Sequence, residues 1–388
     1  MTRIVLAHSG SFETSAAIPW LADHFSSAAT SGGTSPAEVI AVIVETGRRT
    51  DLVELREQAL ALGALRCHVV DSREEFAREY VLPALQAQAF SGERPPLSAA
   101  LARAIVARKV VELARMEEAS AIAFGCGRVD DRAPLGVLIR ALDPSFELVV
   151  PSALWAMSDS DLRQYAKRRN IQRLSGLDGA QQVTANVWGR LVMFDLQQNS
   201  WTEPSEDLYM LTRAPKDCPD QPAYVEVEFE RGVPVRVNCI EMPLLEMIES
   251  LETIGGTHGV GRTDSIVTRL DGQRIRHIGE APAAAILQMA HRELEGMVTP
   301  PELARLVSEV GGAYANLVQT GGWFSQTRAA LDGFTAAIQP TVTGWIRLRL
   351  FKGDCRIVGR RAPVAGDDTQ PTAAAASAPD GVPGRGSL

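Results

Sequence analysis

The chain has 388 residues, of which 45% are hydrophobic and 22% charged, so it can bury a sizeable core, and its length favours two or three domains. Its formal net charge of −8 argues against a nucleic acid or an anionic membrane surface as a partner. Five scattered cysteines without a Cys-x-x-Cys pair, and no apolar stretch of roughly 20 residues, predict a cytoplasmic protein with reduced thiols.

The first 170 residues predict a doubly wound α/β domain. Short apolar runs bounded by polar or glycine-containing segments indicate five strands, at 3–8, 38–45, 66–72, 121–126 and 146–154. Amphipathic patterns predict helices between them, at 51–63 and 96–118. Strands that alternate with helices form a parallel sheet, and ligands of such sheets bind beyond the carboxyl ends of the strands.

The first strand continues into the stretch IVLAHSGSFETSAAI, residues 4–18, which is typical of a strand, a turn and a helix N-terminus. The N–H groups of a first helical turn have no intrahelical partner, and the helix dipole adds positive potential, so a phosphate can bind there. Ser9, Ser11, Thr14 and Ser15 add hydroxyl donors. A capped turn without a ligand is the alternative interpretation.

From about residue 171 the pattern becomes that of an α+β domain, which we expect to span 171–362. Strict alternation predicts antiparallel strand pairs at 223–238, 262–279 and 344–361. Helices are predicted at 243–256, 280–298, 301–320 and 324–337. The last segment, 363–388, is rich in Ala, Pro and Gly and predicts a disordered tail, with a surface helix as the alternative.

The order of these segments resembles the argininosuccinate synthase family over residues 1 to about 362. The matching motifs are LAHSGSFETS (6–15), NVWGR (186–190), THGVGRTD (257–264), GGWFS (321–325) and FKGDCRIVGRRAP (351–363). The family condenses citrulline with aspartate using ATP, through an adenylated ureido oxygen and release of pyrophosphate. The resemblance implies a nucleotide-binding domain of the N-type ATP pyrophosphatase kind at 1–170, followed by a synthetase and multimerisation domain at 171–362.

The resemblance also implies where ATP and its magnesium ion bind. The expected ATP contacts are Ala7, His8, Ser9, Gly10, Ser11, Glu13, Thr14, Ser15 and Gly125. The family's loop reads Ser-Gly-Gly-Leu-Asp-Thr-Ser, so Ser11 replaces a glycine, which matters if that residue needs a positive φ. Glu13 replaces an aspartate and keeps its charge, so it is the expected contact of nucleotide-bound magnesium. His8 either stacks near the nucleotide or is a buried, hydrogen-bonded imidazole.

Several family positions that hold the amino-acid substrates have changed in the first domain. The family's tyrosine, threonine and serine correspond here to Pro95, Ala99 and Ala100. Its segment of glycines, amides and hydroxyls after the fourth strand corresponds to GRVDDRAPLGV, residues 127–137. These replacements remove the polar groups that contact the substrates in the family.

The second domain shows the same kind of change. The family's citrulline-binding glutamate and tyrosine correspond to Val267 and Gly279, and two of its serines correspond to Gln182 and Leu191. A zwitterionic amino acid needs paired charges and hydrogen-bond donors in a dry site. We therefore expect substrates other than citrulline and aspartate.

Charged residues lie near the lost ligands, and one of them, Arg103, matches a basic residue of the family's long helix. Arg48 follows the second strand, where it is either a substrate contact or a loop-capping residue. Arg103 lies on the long helix, and Arg128, Asp131 and Arg132 follow the fourth strand in a segment that is alternatively a solvated charge loop. Arginine binds carboxylate or phosphate, and aspartate binds an amine or magnesium, so we expect these five residues to contact the substrates.

The motif THGVGRTD is the strongest match in the second domain. The resemblance implies that it faces the cleft between the domains, where Arg262 and Asp264 are expected to form an ion pair. His258, in the same motif, has either a turn-forming role or a contact role.

These observations lead to one main hypothesis and two alternatives. The main hypothesis is an ATP-dependent ligase that adenylates an acceptor oxygen, forms a C–N bond with an amine and releases AMP and pyrophosphate, as in a duplicated gene recruited to specialised metabolism. The alternatives are a non-catalytic paralogue that binds a ligand or partner, and a genuine argininosuccinate synthase. No general base is evident, so the catalytic residues stay unknown. We expect small-molecule substrates and a homodimer or homotetramer built on the second domain.

Overall fold

The N-terminal part of the chain, up to residue 171, folds around one parallel sheet. The computed structural model describes residues 2–28, 34–35, 37–48, 51–89, 97–125, 129–155, 157–171, 182–195, 201–268, 272 and 274–362. The N-terminal elements are β1 (Arg3–Ala7), α1 (Phe12–His24), β2 (Ser27–Ala28), β3 (Thr34–Ser35), β4 (Glu38–Glu45), α2 (Leu52–Ala61), β5 (Arg66–Asp71), α3 (Arg73–Phe76), α4 (Leu82–Gln86), α5 (Ser98–Met116), β6 (Ala121–Ala123), α6 (Val129–Leu142), β7 (Glu147–Val149), α7 (Pro151–Leu154) and α8 (Asp159–Arg168). A π-helical segment, Ala77–Val81, joins α3 to α4.

The parallel sheet has the strand order β5-β4-β1-β6-β7. Because β1 is central, the chain extends the sheet first on one side through β4 and β5 and then on the other through β6 and β7. This topology confirms the doubly wound α/β class predicted from the alternation of strands and helices. The short strands β2 and β3 pair only with each other among the described residues.

The apolar runs of the sequence form the centre of this sheet. Val5 and Leu6, neighbours on β1, pack into two different hydrophobic clusters because successive strand residues point to opposite faces. On α2, Leu55 and Ala59 are buried as the predicted apolar stripe requires. Gly63 follows that helix with a φ of +102°, the left-handed conformation that favours glycine after a helix end.

The C-terminal part, from residue 182, contains two antiparallel sheets and four long helices. Its strands are β8 (Gln182–Asn186), β9 (Gly189–Asp195), β10 (Ala223–Glu230), β11 (Val233–Val237), β12 (Ile240–Glu241), β13 (Arg262–Thr268), β14 (Arg274–Glu280), β15 (Gly344–Phe351) and β16 (Asp354–Arg361). Its helices are α9 (Leu244–Thr257), α10 (Pro282–Val298), α11 (Pro301–Gln319) and α12 (Gln326–Ile338), with 3-10 turns at Glu206–Leu208, Pro215–Asp217 and Gln339–Thr341.

One antiparallel sheet has the order β12-β11-β10-β15-β16 and the other has the order β13-β14-β9-β8. The three predicted strand pairs, β10–β11, β13–β14 and β15–β16, are therefore confirmed, and so are the four predicted helices. The β8–β9 hairpin was not predicted, because its turn contains the bulky residues Val187 and Trp188 in place of the usual turn residues.

One segment considered as a loop is helical in the structure. A solvated charge loop was the alternative interpretation of 127–134, but α6 begins at Val129 and includes Asp131, Arg132 and Pro134. The loop conformation is therefore wrong from Val129 onward, and whether these charged residues contact a substrate stays a prediction. The predicted disordered tail, 363–388, lies outside the described residues.

The motif GGWFS connects the two parts of the chain. Trp323 is buried and stacks on Tyr80, with ring centroids 5.0 Å apart, and the Arg328 guanidinium lies 3.8 Å from the centroid of the Trp323 ring. Gly321 has a φ of +85°, and a Cβ there would lie 2.5 Å from the carbonyl oxygen of Pro134 on α6. Only glycine allows this approach of α6, which explains the first glycine of the motif.

A buried polar network also connects the two parts. The Glu295 carboxylate on α10 accepts hydrogen bonds from the side-chain amides of Gln88, which follows α4, and of Gln339. The oxygen of Gln339 lies 2.9 Å from Nε2 of His291, so that ring nitrogen carries the proton and donates. Burial raises the pKa of Glu295 and lowers the pKa of His291 to about 4. Each group is thereby biased toward its neutral form.

No helix among the described residues combines the length and the apolar character that a membrane span requires. Cys67, Cys218, Cys239 and Cys355 have no disulfide partner in the part of the chain that the structure describes, and their reduced state stays a prediction.

We predict that His291 makes folding stability depend on pH in one direction. Its folded pKa of about 4 lies below its ordinary value of 6.5, so the unfolded chain binds a proton first as the pH falls. The contribution of His291 to the free energy of unfolding should therefore be greatest above pH 6.5 and should fall by up to about 3 kcal/mol toward pH 4. Urea unfolding at several pH values measures this effect.

His291→Gln is the matched variant, because it keeps a side-chain donor but does not titrate. The contribution of Glu295 has the opposite sign, is present in both proteins and cancels in the difference. The difference in stability between the two proteins should shrink as the pH falls through this window. A difference that stays constant would contradict the prediction.

Candidate functional site

The loop between β1 and α1 keeps its positive φ on a glycine. Gly10 has a φ of +75°, whereas Ser11 has a φ of −69° and a ψ of 159°, an extended conformation that any residue adopts. The replacement of glycine by Ser11 therefore causes no backbone strain. The sequence left this point open, and the structure shows that the loop accepts a serine there.

Ser11 has a structural role as the N-cap of α1. Its Oγ accepts a hydrogen bond from the N–H of Thr14 at 3.2 Å, and the Thr14 hydroxyl donates to the Ser11 carbonyl at 3.1 Å. The N–H of Ser11 donates to Oγ of Ser9 at 3.3 Å. These contacts order the loop without a ligand and occupy one N–H group that a glycine at this place would leave free.

Other groups at the same edge of the sheet are suited to an anion. Ser15 is only 1% exposed, and its hydroxyl has no hydrogen-bond partner among the described residues. Gly125 follows β6, the neighbour of β1, and has a φ of +65°. His8 is buried, and its backbone N–H donates to the carbonyl of Val42 at 2.8 Å. A buried hydroxyl without a partner costs about 1–3 kcal/mol, so the edge fits a ligand oxygen such as that of a phosphate.

The structure leaves the metal expectation untested. Glu13 lies in the first turn of α1, at the loop, where a carboxylate can reach a nucleotide-bound cation. Within the described ranges, no group of three or more His, Cys, Asp or Glu residues could hold a metal ion. The contact between Glu13 and magnesium stays a prediction.

The four positions that correspond to the family's citrulline ligands in the C-terminal part lie on one face of the β13-β14-β9-β8 sheet. Gly279 pairs with Leu191 on one side and with Thr263 on the other, and residues opposite one another in antiparallel strands share a face. Val267 and Gln182 belong to the same face because side chains alternate along a strand. We name this surface the acceptor face.

The acceptor face of this chain carries hydroxyl groups between apolar side chains. The hydroxyls of Thr184, Thr263 and Ser265 are buried and have no hydrogen-bond partner among the described residues. Leu191 and Val267 lie on the same face and are apolar. Hydroxyls can bind a neutral carbonyl or amide group, whereas a charged group needs an opposite charge.

The acceptor face points toward the N-terminal part, because the opposite face is covered by a segment of the C-terminal part itself. Glu280, on the opposite face, accepts the N–H groups of Met210, Leu211 and Thr212 and pairs with Arg190. On the acceptor face, the side-chain amide of Asn186 donates to the carbonyl of Ser98 at 2.9 Å, the first residue of α5. The start of α5 therefore packs on this face, and Ala99 follows directly.

The five charged residues expected to contact the substrates are not all brought together. Arg48 forms an ion pair with Glu252 on α9, and Arg103 donates to the carbonyl of Gln319 at the end of α11, at 3.4 Å. Arg128 lies outside the described residues. Asp131 and Arg132 belong to α6, and their side chains are not described. Their roles toward substrates stay predictions.

The expected ion pair between Arg262 and Asp264 is wrong. Arg262 pairs with Glu206 at 2.9 Å and stacks on the ring of Tyr209, while Asp264 pairs with Arg276 of the neighbouring strand. The cause is the segment that includes Glu206 and residues 210–212. It covers this side of the sheet and brings the Glu206 carboxylate to Arg262. The Arg262 guanidinium accordingly lowers the pKa of the Glu206 carboxyl.

Of the two roles considered for His258, the structure supports the turn-forming one. It is buried after the last turn of α9, and its carbonyl accepts the N–H of Gly353 at 2.7 Å. The motif THGVGRTD therefore joins α9 to the turn between β15 and β16. Gly259, with a φ of +72°, lies at this approach, where a Cβ would be 3.4 Å from the backbone nitrogen of Gly353. Gly261, with a φ of +97°, packs instead against the backbone of Ala281 and Pro282.

Sequence reasoning missed two groups of residues at this site. Thr263 and Ser265 were predicted only as residues of a strand. Because they are two positions apart in RTDSIVT, the sequence already indicated that their hydroxyls lie on one face of that strand. Asn186 was noted in NVWGR without a role, and Glu252 gave no signal, because a glutamate on an exposed helix stripe is common.

Comparison with known proteins matches both parts of the chain to one pair of family models. Residues 3–172 match the arginosuccinate synthase N-terminal HUP domain, and residues 182–374 match the arginosuccinate synthase C-terminal domain. These two matches follow one another in the same order as the two parts of the fold.

Curated relatives cover most of the chain. It is 40% identical over 361 residues to "Argininosuccinate synthase" of Halalkalibacterium halodurans, which covers 93% of this chain and 86% of that protein. It is 39% identical over 363 residues to the protein of the same name from Symbiobacterium thermophilum, covering 93% and 88%. A Streptococcus suis protein, also named "Argininosuccinate synthase", is 37% identical over 362 residues, with the same two coverages.

We predict that Ser11→Ala destabilises the protein by about 1 kcal/mol, because the N–H of Thr14 loses its capping acceptor. Denaturant unfolding of the protein without ligand measures the loss. Ser11→Asn, which keeps a capping acceptor, is the matched control and should stay within a few tenths of a kcal/mol of the original chain. Equal losses in both variants would show that the cap does not stabilise α1.

Proposed function

Since the chain belongs to the argininosuccinate synthase family, we propose that it is an ATP-dependent ligase that forms argininosuccinate from citrulline and aspartate. The observation that carries this proposal is the match to both family models in order, with relatives of one name along 93% of the chain. These names support the genuine synthase better than the other substrates that we expected from the sequence.

In the proposed reaction an acceptor oxygen attacks the α-phosphorus of ATP, pyrophosphate leaves, and an amine then attacks the activated carbon to release AMP. ATP supplies the adenylyl group, and this chain's residues bind and orient the reactants. The N-terminus of α1, Gly10 and the hydroxyl of Ser15 are suited to the phosphates. The acceptor face and the start of α5 form the surface suited to the acceptor. Catalysis of this kind depends on positioning and electrostatic stabilisation.

A second candidate is a ligase of the same type that acts on other substrates. It is favoured by the chemistry of the acceptor face, where Val267, Gly279 and Leu191 carry no charge that could pair with a zwitterion. Three hydroxyls of this face also have no hydrogen-bond partner among the described residues. A neutral amide or ureido acceptor would satisfy these hydroxyls without needing a countercharge. The assay that tests the first candidate also distinguishes the second.

The oligomeric state stays a prediction. We keep the expectation of a homodimer or homotetramer built on the C-terminal part, because the family resemblance implies it.

We predict that the combined change Ser9→Ala and Ser15→Ala weakens the binding of ATP with magnesium by about 1–3 kcal/mol, the usual cost of lost hydrogen bonds to a charged group. Calorimetry on the full chain measures the affinity. The matched control is Ser120→Ala with Ser145→Ala, two exposed serines at the opposite, amino edge of the same sheet. An affinity unchanged in the first pair would place the nucleotide elsewhere.

We predict that the protein releases pyrophosphate from ATP and forms argininosuccinate when citrulline and aspartate are supplied at millimolar concentration. A coupled pyrophosphate assay with product detection by mass spectrometry tests this directly, next to a panel of amines with carboxylic, amide and ureido acceptors. Release only with other pairs would support the second candidate and contradict the first. If no pair releases pyrophosphate and calorimetry detects no ATP binding, both ligase candidates fail, as the non-catalytic alternative predicts.

A further inference from the structure

Arg48 joins the two parts of the chain through one guanidinium. Its Nε donates to the carbonyl of Asn186 at 2.5 Å, and its Nη1 donates to Glu252 on α9 at 2.7 Å. Nη2 also contacts the Glu252 carboxylate, so the pair is bidentate. Arg48 belongs to the loop after β4 in the N-terminal part, while Asn186 and Glu252 belong to the C-terminal part. We name Arg48 and Glu252 the junction ion pair.

The backbone around Arg48 is held in an unusual conformation. Arg48 has a φ of +76°, in the left-handed region that an arginine rarely adopts. The preceding Gly47 has a φ of +110°, and a Cβ there would lie 2.3 Å from Val187 Cγ1. The N–H of Val187 donates to the carbonyl of Thr46 at 2.9 Å. The loop is thus pressed against the β8–β9 turn, and Arg48 accepts backbone strain to reach its partners.

The junction ion pair lies between the two binding surfaces. The loop of Arg48 follows β4, the neighbour of β1, so it leaves the same carboxyl edge of the sheet as the loop of Ser9 and Ser11. Asn186, which accepts from Arg48, donates to Ser98 at the start of α5. A continuous chain of contacts therefore runs from the nucleotide edge through Arg48 and Asn186 to the helix that packs on the acceptor face.

Arg48 is largely buried and has charges of both signs around it. Burial lowers the pKa of Arg48 to about 10, the carboxylates of Glu280 and Glu249 oppose that effect, and the guanidinium of Arg190 adds to it. A cavity of about 110 Å³ lies beside the pair, lined by Gly47, Arg48, Arg73, Val187, Glu249 and Glu252. Of the two arginines that line this cavity, Arg48 pairs with Glu252 of the C-terminal part, whereas Arg73 pairs with Asp71 of its own part, so Arg48 is the one that joins the two parts here.

We propose that the junction ion pair is a positioning element of the ligase, which holds the acceptor face at the correct distance from the nucleotide edge without contacting a substrate. Arg48 and Glu252 are positioning residues that act through Asn186 and α5. This inference goes beyond the proposed function and uses it only for its kinetic readout.

The kinetic test compares Arg48→Gln, Glu252→Gln and the double variant. Because a misplacement of reacting groups by about 1 Å lowers turnover about 100-fold, each single variant should lower kcat about 10- to 100-fold. KM for each substrate and the affinity for ATP should stay within about twofold. The double variant should be no slower than the slower single variant, because both changes remove one interaction.

Two further variants make this result specific. Glu246→Gln removes an exposed carboxylate from the same helix, α9, and should leave kcat unchanged. Arg48→Lys keeps the charge but loses the bidentate geometry, and it should fall between the original chain and Arg48→Gln. If Arg48→Gln raises KM for one substrate while Glu252→Gln changes nothing, Arg48 is a substrate contact and the proposal is overturned. Unchanged kcat in both single variants overturns it too.

A second measurement keeps the inference testable if the ligase function itself fails. Hydrogen exchange of the free, full-length protein should be faster in the β8–β9 turn and at the end of α9 in Arg48→Gln and Glu252→Gln than in Glu246→Gln, by about tenfold. Exchange that is the same in all three variants would show that the pair does not hold the two parts together. Faster exchange without any pyrophosphate release would reject the proposed function and keep the positioning of the two parts.

Discussion

The close approach of Gly47 to Val187 is the constraint on which the arrangement of the two parts depends. A side chain at Gly47 would collide with Val187, and the carbonyl of Thr46 accepts the N–H of that same residue. The distance between the parallel sheet and the β13-β14-β9-β8 sheet is therefore fixed by backbone contact. Side-chain contacts on either side then complete the junction, with Arg48 and Glu252 near the binding surfaces and Tyr80 and Trp323 farther along the chain.

The fold was largely predictable because its signals are local. The continuous apolar run EVIAVIVE indicates a strand that is buried on both faces, and the alternation in AYVEVEFE indicates a strand that is buried on one face. Both segments are strands at the predicted places. The β8–β9 hairpin and the helical start of α6 were missed for a physical reason. Trp188 stabilises its turn by burial in the shared core, and Pro134 lies inside α6 despite its missing N–H. Tertiary packing decides both cases, and it leaves no periodic signal.

The candidate site was predictable at one end and not at the other. The loop of residues 9–15 could be found from Ser, Gly and Thr at a helix start, and even its departure from the family pattern proved compatible with the backbone at Ser11. The partners of Arg48, Arg262 and Asp264 could not be found, because each depends on a segment far away in sequence. Charged residues reveal that an ion pair is needed but not which residue supplies it.

The core shared by the two parts limits how this protein could have evolved. Gly321 against α6, Trp323 against Tyr80, and Gln88 at Glu295 each join residues that are about half of the chain's length or more apart in sequence. Neither part could be exchanged alone for an unrelated domain. Such a domain would leave Trp323, Glu295 and the backbone of α6 either exposed to water or packed against side chains of the wrong shape. Divergence within such a molecule must proceed by substitutions at positions outside these contacts, such as Val267 and Gly279 on the acceptor face.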